Sequence, residues 1–235
     1  MVSNPLSAMD QELRGRVRVL LICCFSLFIV GLDITVVNVA LPSIGRDLDA
    51  DIAGLQWTVD AYTVVLATLL MFSGSMGDRF GRRRVFIAGL GTFTAASLLC
   101  SLAPSVEALT AFRVLQGIGA SMLNPVAMSI VVNTFTNPRE RAQAIGVWGA
   151  TFGVAMALGP IIGGSLVAAL DWRAIFWVNI PVGLAAILLT LRHVPESRAP
   201  RPRRFDPVGQ LLIAVLLGAL TYGIIEAPAR GWTSA

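Results

Sequence analysis

Residue types that carry catalysis and metal binding are scarce in this sequence. It contains one histidine and three cysteines, and all 18 of its basic residues are arginine. His193 has no nucleophile or metal ligand near it, and Cys23, Cys24 and Cys100 lie in apolar runs without metal-ligand spacing. Adjacent cysteines rarely form a disulfide with each other. These absences leave only scattered carboxylates for catalysis, so we expect no enzyme, no metal and no cofactor.

Charged residues are also few, and long apolar runs take their place. Charged residues make up 14% of the chain and hydrophobic ones 55%, far from the composition of a soluble domain. No stretch alternates in polarity over the roughly ten residues of a spanning strand, and helices remain the way to satisfy backbone groups in lipid. We therefore predict an all-α integral membrane protein. Its seven predicted transmembrane helices are Val19–Pro42, Leu55–Met76, Val85–Ala103, Ala108–Phe135, Ala142–Leu170, Ala174–Leu191 and Val208–Ile225.

The arginines predict the orientation of these helices. With the N-terminus inside, 14 of the 18 arginines fall on the cytoplasmic side, in agreement with the positive-inside rule. The basic composition then reflects topology and attraction to anionic lipid, so we expect no nucleic-acid partner, even for the stretch RAPRPRRF. We predict a multi-pass protein of the cell membrane. Its predicted parts are a cytoplasmic tail (1–18), a six-helix bundle (19–191), a cytoplasmic basic linker (192–207) and a seventh helix with its outer end (208–235).

Three charged residues lie inside the predicted spans, where charge is costly and usually marks a functional site. At 1.5 Å per residue, Asp33, Arg113 and Asp60 lie about 13, 9 and 8 Å from the outer ends of their helices. The similar depths predict that Asp33 pairs with Arg113, because each would be costly alone. Burial favours a neutral carboxyl and a guanidinium favours the carboxylate, so a small rearrangement would load or release a proton. The alternative is a permanent ion pair that only fixes helix contacts. Asp60 is either a second functional acid or a solvated rim residue.

Polar and small residues share one face of the fourth predicted helix. At 100° per residue, Arg113, Gly117 and Ala120 fall on one stripe with two amide side chains. Such a stripe suits either close helix packing or a wet cavity, and the arginine and amides favour the cavity. The candidate cavity-lining residues are Gln116, Asn124 and Asn38.

Two glycine-containing stretches are unusual for membrane helices. GPIIGG places Pro160 in the middle of the fifth span and puts Gly159 and Gly163 on one face, which allows a bend and close approach of a neighbour. GSMGDRFGRRR forms a short basic loop between the second and third spans. Its Asp78 is a candidate helix cap or a candidate gate residue. The basic cluster alone would also serve as an orientation signal.

Taken in order, these stretches resemble the fourteen-helix drug:proton antiporters of the major facilitator superfamily. GSMGDRFGRRRVF resembles the signature between helices two and three, with Met76 where leucine is expected. LTAFRVLQGIGAS resembles the fourth-helix motif, and GPIIGG the fifth-helix antiporter motif, although the glycine expected earlier is Ala150. LDITVVNVALP, WRAIFWVNIPVG and FDPVGQLLIAVLLGALTYGIIEAPARGW resemble motifs of the fourteen-helix branch. The matches cover nearly the whole chain from about Leu32 onward.

The resemblance implies a six-helix bundle of two inverted three-helix repeats, followed by a seventh transmembrane helix. It implies export driven by inward proton movement, with a second bundle that moves against the first. The implied proton-coupling or substrate residues are Asp33, Arg113 and Asp60. The implied inner gate motif is Gly74, Asp78, Arg79, Gly81 and Arg82. The implied antiporter motif is Gly159, Pro160, Gly163 and Gly164.

The resemblance also implies partners. They are small lipophilic molecules, cations among them, together with protons, the lipid bilayer and a C-terminal transporter half that this sequence does not contain. We expect a bacterial source and an N-terminal portion of a longer protein. The alternatives are an exporter of one narrow class of metabolite and a truncated membrane protein that does not transport.

Overall fold

Eight helices make up the described part of the molecule. The computed structural model describes the backbone of residues 5–200 and 206–230 and the side chains of residues 11–200 and 206–226. Seven stretches of this part are long and apolar enough to cross a membrane, which confirms the all-α membrane fold. The helices are α1 (Pro5–Asp47), α2 (Ile52–Phe80), α3 (Arg82–Ser101), α4 (Val106–Thr134), α5 (Pro138–Ala169), α6 (Ala174–Trp177), α7 (Asn179–His193) and α8 (Pro207–Arg230).

Most helices differ by a few residues from their predicted bounds, and two differ more. The first helix begins at Pro5, inside the predicted cytoplasmic tail, rather than at Val19. The first helix continues past Pro42 to Asp47, because a proline removes only its own backbone donor and the bond from Leu48 N to Ile44 O still forms at 2.9 Å. The sixth span is divided into α6 and α7 at Val178. Pro181 explains the division, because its ring blocks the backbone bond to the carbonyl four residues earlier. Parts of the predicted tail (1–4), linker (201–205) and outer end (231–235) lie outside the described residues.

The pairing of helices follows an internal repeat. In the first six spans α1 packs mainly on α5 and α2 on α4, while α3 contacts both α4 and α7. If spans one to three are matched in order with spans four to six, α1 corresponds to α4 and α2 to α5. The α1–α5 contact then corresponds to the α4–α2 contact. The α3–α7 contact corresponds to itself. This pattern is that of two related three-helix units packed into one bundle.

Charges separate to the two ends of this bundle. One end, called here the basic end, holds the start of α1, the α2–α3 turn, the start of α5 and the end of α7. The opposite end holds the acidic residues Asp49, Asp51, Glu107 and Asp171 near the helix ends. Several helix starts are capped by side chains, as where Asp51 accepts a bond from Gly54 N at 2.8 Å.

The seventh span lies against one face of the bundle. Helix α8 packs on α2, where the Gln210 amide donates to the Thr68 carbonyl and the Tyr222 ring lies 6.3 Å from the Trp57 ring. Most other α8 side chains in the described part are exposed. The helix therefore adds little to the core of the first six spans.

Two apolar clusters fill the interior of the bundle, and they do not merge. On α1 the cluster nearer the basic end reaches Val30, and the other cluster begins at Leu32. On α3 the corresponding limits are Phe93 and Cys100. The gap between the clusters contains polar side chains from several helices, which form the site described next.

Candidate functional site

Five buried polar side chains form a layer between the two apolar clusters. Each is at most 2% exposed, although all lie in membrane-spanning helices. Buried polar groups are tolerated in such a place only when hydrogen bonds satisfy them. The polar layer consists of Asp33 on α1, Ser97 on α3, Arg113 and Gln116 on α4, and Asn179 at the start of α7.

The centre of the polar layer is an ion pair. Arg113 Nη1 donates to Asp33 Oδ2 at 2.5 Å, and the two side chains are 1% and 0% exposed. The predicted pairing of these residues is therefore confirmed. Two charges in a low-dielectric interior attract each other strongly, but each has lost its hydration, so the pair is stable only with further hydrogen bonds.

Two amides complete the surroundings of the Asp33 carboxylate. Its second oxygen, Oδ1, accepts bonds from Gln116 Nε2 at 2.9 Å and Asn179 Nδ2 at 3.1 Å. Both amides also reach Ser97 Oγ, at 2.9 and 3.4 Å. The Ser97 hydroxyl in turn donates to the Phe93 carbonyl at 2.8 Å. One carboxylate thus joins α1 to side chains of α4 and α7, and through them to α3.

The Arg113 guanidinium is held from its other sides by α2. Arg113 Nε donates to the Thr58 carbonyl at 3.2 Å, and the guanidinium carbon lies 4.0 Å from the centre of the Tyr62 ring. A cation over an aromatic face gains about 2 kcal/mol or more when it is desolvated. Arg113 Nη1 also donates to Gln116 Oε1 at 2.7 Å. The buried Tyr62 hydroxyl has no hydrogen-bond partner among the described residues.

This arrangement couples the charge of one carboxyl to the packing of five helices. When Asp33 is ionised, it accepts from three donors and neutralises Arg113. A proton on Asp33 would remove the ionic attraction to Arg113. It would also add a donor to a carboxyl whose three partners all donate to it. With the proton on Oδ2, its hydrogen would face the Arg113 donor, while Oδ1 could still accept from both amides. Protonation would in this way weaken the contact between α1 and α4.

Three residues were predicted to line a cavity beside Arg113, and the structure places them in different surroundings. Gln116 is fully buried and is bonded within the polar layer, so it does not face an open cavity. The small residues of the stripe permit close packing instead, since a Cβ on Gly117 would lie 2.8 Å from the Tyr62 carbonyl oxygen of α2. Asn124 is half-buried and its Oδ1 has no partner among the described residues. Asn38 is exposed on α1 and donates to the Ile34 carbonyl at 3.1 Å.

Asp60 is separate from the polar layer. It lies on α2, is partly exposed, and forms no hydrogen bond or ion pair with the described side chains. Its neighbours Thr58 and Tyr62 both contact Arg113, so Asp60 points away from the ion pair along the same helix. A carboxylate in this position is accessible to a ligand or to water.

Sequence reasoning missed Ser97, Asn179 and Tyr62. A signal existed for Asn179, which is the polar residue of the quoted stretch WRAIFWVNIPVG. The tyrosine lies two residues after Asp60, but no spacing rule places its ring over an arginine of another helix. Serine is common in membrane helices as a packing residue, so Ser97 carries no signal of its own.

At the basic end, the predicted gate motif forms a tight turn. Gly81 has φ +116°, which side chains rarely adopt, and it ends α2 and starts α3. The Asp78 carboxylate accepts from Arg82 Nη2 at 2.9 Å and Nε at 3.2 Å. Asp78 therefore does not cap α3, whose cap residue Gly81 has no side chain. Arg79 is exposed, with its guanidinium 6.0 Å from the Phe80 ring.

The segment after α7 closes over this turn. Arg82 N donates to the Ser197 carbonyl at 2.9 Å, and Ala199 N donates to the Asp78 carbonyl at 3.2 Å. Glu196 Oε1 accepts from Arg83 N at 3.1 Å, and its Oε2 lies 3.7 Å from Arg84 Nε. These bonds fix the first residues of the predicted linker against the gate motif.

A cavity of about 280 Å³ lies beside the turn, between α2 and α4. Its walls are apolar apart from one carboxylate and a few hydroxyls. Among the residues that line it are Met71, Gly74, Asp78, Pro125 and Ser129. Two residues of the gate motif, Gly74 and Asp78, therefore face this cavity.

The predicted antiporter motif packs α5 against α1. A Cβ on Gly163 would lie 3.1 Å from Val36 Cα, and a Cβ on Gly159 would overlap the Thr35 hydroxyl. Gly164 is less crowded, since its nearest neighbour on α1 would be 4.0 Å away. Pro160 is exposed and lies within a continuous helix. The motif thus brings α1, the helix of Asp33, close to a helix that contributes no residue to the polar layer.

Comparison with known families identifies this arrangement. The model of the Major Facilitator Superfamily matches residues 23–233. The chain belongs to the Major Facilitator Superfamily. Membership confirms the superfamily that the motifs predicted, and it accounts for the paired three-helix units as the fold of this superfamily.

Relatives within the superfamily are named for drug resistance and export. Multidrug resistance protein Stp of Mycobacterium tuberculosis (strain CDC 1551 / Oshkosh) is 44% identical over 208 residues, which are 88% of this chain and 39% of that protein. The tetracenomycin C resistance and export protein of Streptomyces glaucescens is 41% identical over 222 residues, which are 94% of this chain and 41% of that protein. The chain spans about two-fifths of the length of these curated relatives.

A solved superfamily structure has the same fold. The crystal structure of peptide transporter POT in complex with sulfate superposes with a TM-score of 0.69 at 16% identity. The superposition covers 94% of this chain and 47% of that one. At this identity the likeness concerns the fold alone. Together with the seven spans of the described residues, it makes this chain a multi-pass membrane protein.

Proposed function

We propose that this chain is the N-terminal portion of a proton-coupled exporter of small lipophilic molecules, which works by alternating access. The observation that carries the proposal is the Asp33–Arg113 pair, which is buried where α1 meets α4 in membrane-spanning helices. The names of the relatives support export of drugs or antibiotics.

In this proposal Asp33 is the proton-coupling site. The ionised carboxylate binds Arg113, Gln116 and Asn179 and favours one packing of α1 on α4 and α7. The protonated carboxyl loses the attraction to Arg113 and favours another packing. A proton shifts the equilibrium between two packings only if it binds one of them more tightly than the other. The packings differ in this way because the buried ion pair is made in one and lost in the other.

The substrate would contact residues outside the polar layer. Asp60 supports a preference for cations, because its carboxylate is partly exposed and unpaired among the described residues. Asn38 and Asn124 are further candidates, since the first is exposed and the second has a buried oxygen without a partner in the described part of the chain. Among these three, only Asp60 carries a charge.

The basic end would face the cytoplasm, with the gate motif closing against a second transporter half. The segregation of arginines to this end supports that orientation. The cavity lined by Gly74 and Asp78 supports a partner surface there. Arg79 and Arg82 would join Asp78 in the gate. The fourteen-helix branch of the superfamily has the length that such a second half requires.

The proposal is tested by pH-driven ethidium efflux from proteoliposomes. Three proteins are compared: this chain, the chain extended by its natural downstream sequence, and the active form with Asp33→Asn. Asp49→Asn is the matched control, because Asp49 is exposed and its positive φ suits asparagine. We expect efflux from the extended chain only, and loss of its pH dependence in Asp33→Asn but not in Asp49→Asn.

Other outcomes would overturn parts of the proposal. Efflux by the 235-residue chain alone would mean that it assembles with itself. A folded, substrate-binding extended chain without any efflux would favour a membrane protein that does not transport. Unchanged coupling in Asp33→Asn would make the ion pair purely structural.

A second candidate is an exporter of one narrow class of metabolite. It is favoured by the relative that is named for a single compound, tetracenomycin C. The same vesicles separate the two candidates when ethidium is replaced by a panel of neutral, anionic and cationic aromatic compounds. Transport of only one chemical class would support the narrow exporter.

A further inference from the structure

A groove lies between α1 and α7 at the basic end, on the surface that faces away from the bundle interior. Its volume is about 350 Å³. It shares no residue with the polar layer, the gate motif or the antiporter motif, so the proposed transport does not use it. The groove is lined by Arg18, Leu21, Ile22, Phe25, Leu189 and His193.

The floor and walls of the groove are apolar and exposed. Leu21 and Phe25 lie one turn apart on α1 and are 58% and 45% exposed, and Leu189 on α7 is 43% exposed. These residues belong to membrane-spanning helices, so their exposed faces meet hydrocarbon chains rather than water. A groove of this kind fits an extended acyl chain.

The two polar side chains of the groove, Arg18 and His193, lie at one end of it. Helix α1 runs away from the basic end and α7 runs toward it, so Arg18 at the near end of one meets His193 at the near end of the other. From Arg18 to Phe25 the helix rises about 10 Å. The groove is therefore polar at its mouth and apolar along the rest of its length. A phospholipid has the same sequence of parts, a charged headgroup followed by acyl chains.

The charge at the mouth is available for a ligand. Arg18 forms no hydrogen bond or ion pair with the described residues, whereas nearby Arg16 is paired with Glu12 and Glu140. His193 Nδ1 lies 3.1 Å from the Leu189 carbonyl, which can only accept, so the hydrogen is on Nδ1. Nε2 is left for a ligand, and the imidazolium form would donate from it. Among the described residues, no acidic side chain lines the groove.

We propose that this groove binds an anionic phospholipid of the adjacent leaflet. The phosphate group lies between Arg18 and His193, and one acyl chain follows Leu21, Phe25 and Leu189. Charge complementarity selects the headgroup, since basic pockets between membrane helices bind anionic lipid heads and each cation near the surface contributes about a fivefold increase in affinity. The hydrocarbon contacts exclude a free phosphate ion as the principal ligand.

Native mass spectrometry of the delipidated 235-residue chain in detergent tests the proposal. The chain is titrated with dioleoyl phosphatidylglycerol or dioleoyl phosphatidylcholine, which differ only in the headgroup. We expect the first phosphatidylglycerol to bind about fivefold more tightly, the contribution of the single arginine Arg18. The double variant Arg18→Gln/His193→Gln should bind both lipids equally within a factor of two. Soluble glycerol phosphate in excess should not displace the lipid.

The control is Arg139→Gln, which removes an exposed arginine from the same end of the bundle that does not line the groove. This variant should keep the preference for phosphatidylglycerol. Equal binding of the two lipids by the unmodified chain would overturn the proposal. So would a preference that survives the double variant, an equal loss in Arg139→Gln, or displacement by glycerol phosphate. Circular dichroism verifies that each variant is folded. The single variant Arg18→Gln changes an exposed side chain and should fold normally. Its affinity for phosphatidylglycerol should fall about fivefold.

Discussion

The polar layer and the gate motif both contain an aspartate–arginine pair, but the two pairs differ in their surroundings. The Asp33–Arg113 side chains are 0% and 1% exposed, while those of Asp78 and Arg82 are 20% and 13% exposed. The first pair joins α1 to α4 across 80 residues of sequence, and the second joins residues four apart on either side of the α2–α3 turn. The first fixes how helices meet, whereas the second mainly reinforces a turn that backbone geometry already holds.

The largest expected effect is on the buried pair. Arg113→Met should lower the free energy of unfolding by about 3–5 kcal/mol, because the buried Asp33 carboxyl loses the partner that compensates its charge. Unfolding by SDS in mixed micelles measures this change in the free energy of unfolding. Asp33→Leu combined with Arg113→Met should restore most of the stability, since apolar replacement of a whole buried pair is often neutral. A double variant as unstable as the single one would show that the pair itself stabilises the bundle.

The next effect tests whether backbone geometry governs the gate turn. Gly81→Ala should cost about 1–3 kcal/mol, because alanine is strained at φ +116°. The same unfolding assay applies. Gly91→Ala is the control, since nothing lies within 4 Å of a Cβ there and its helical backbone suits alanine. If the two substitutions had equal effects, the turn would not depend on its glycine.

A smaller effect is expected at the edge of the polar layer. Asn179→Ala removes two bonds but leaves Arg113 and Gln116 on Asp33, so we expect a loss of about 1–2 kcal/mol. Asn38→Ala is matched to it, because Asn38 is exposed and bonds only its own helix. That control should change stability by less than about 0.5 kcal/mol. If Asn179→Ala and Asn38→Ala lowered the stability equally, the bonds of Asn179 in the polar layer would contribute nothing to stability.

The smallest effect is expected for the charge pair of the gate. Arg82→Gln should cost about 0.2–1 kcal/mol, the usual contribution of an ion pair near the surface. Raising the salt concentration should reduce even this difference, whereas the effect of Arg113→Met should persist. A loss at Arg82 comparable to that at Arg113 would abolish the contrast between the two regions.

Much of the fold could be predicted from the sequence, because hydrocarbon length and backbone bonding dictate apolar helices of about 20 residues. The Asp33–Arg113 pair followed from depth, since two charges in lipid at one level gain by meeting. Ser97 and Asn179 did not follow, because their polar groups are small and common in membrane helices. Which helix faces which is decided by packing, and the Gly117 contact with Tyr62 shows how a small-residue stripe was mistaken for a cavity wall.

The long sequence separation within the polar layer has a consequence for synthesis. Asp33 is translated 80 residues before Arg113 and 146 residues before Asn179. At about 5–20 residues per second, α1 waits on the order of 4–16 s before its arginine is made. During that interval Asp33 has neither its arginine nor the amides of Gln116 and Asn179 as hydrogen-bond partners. The polar layer therefore begins to form only after α4 has been made, and it is complete only after α7.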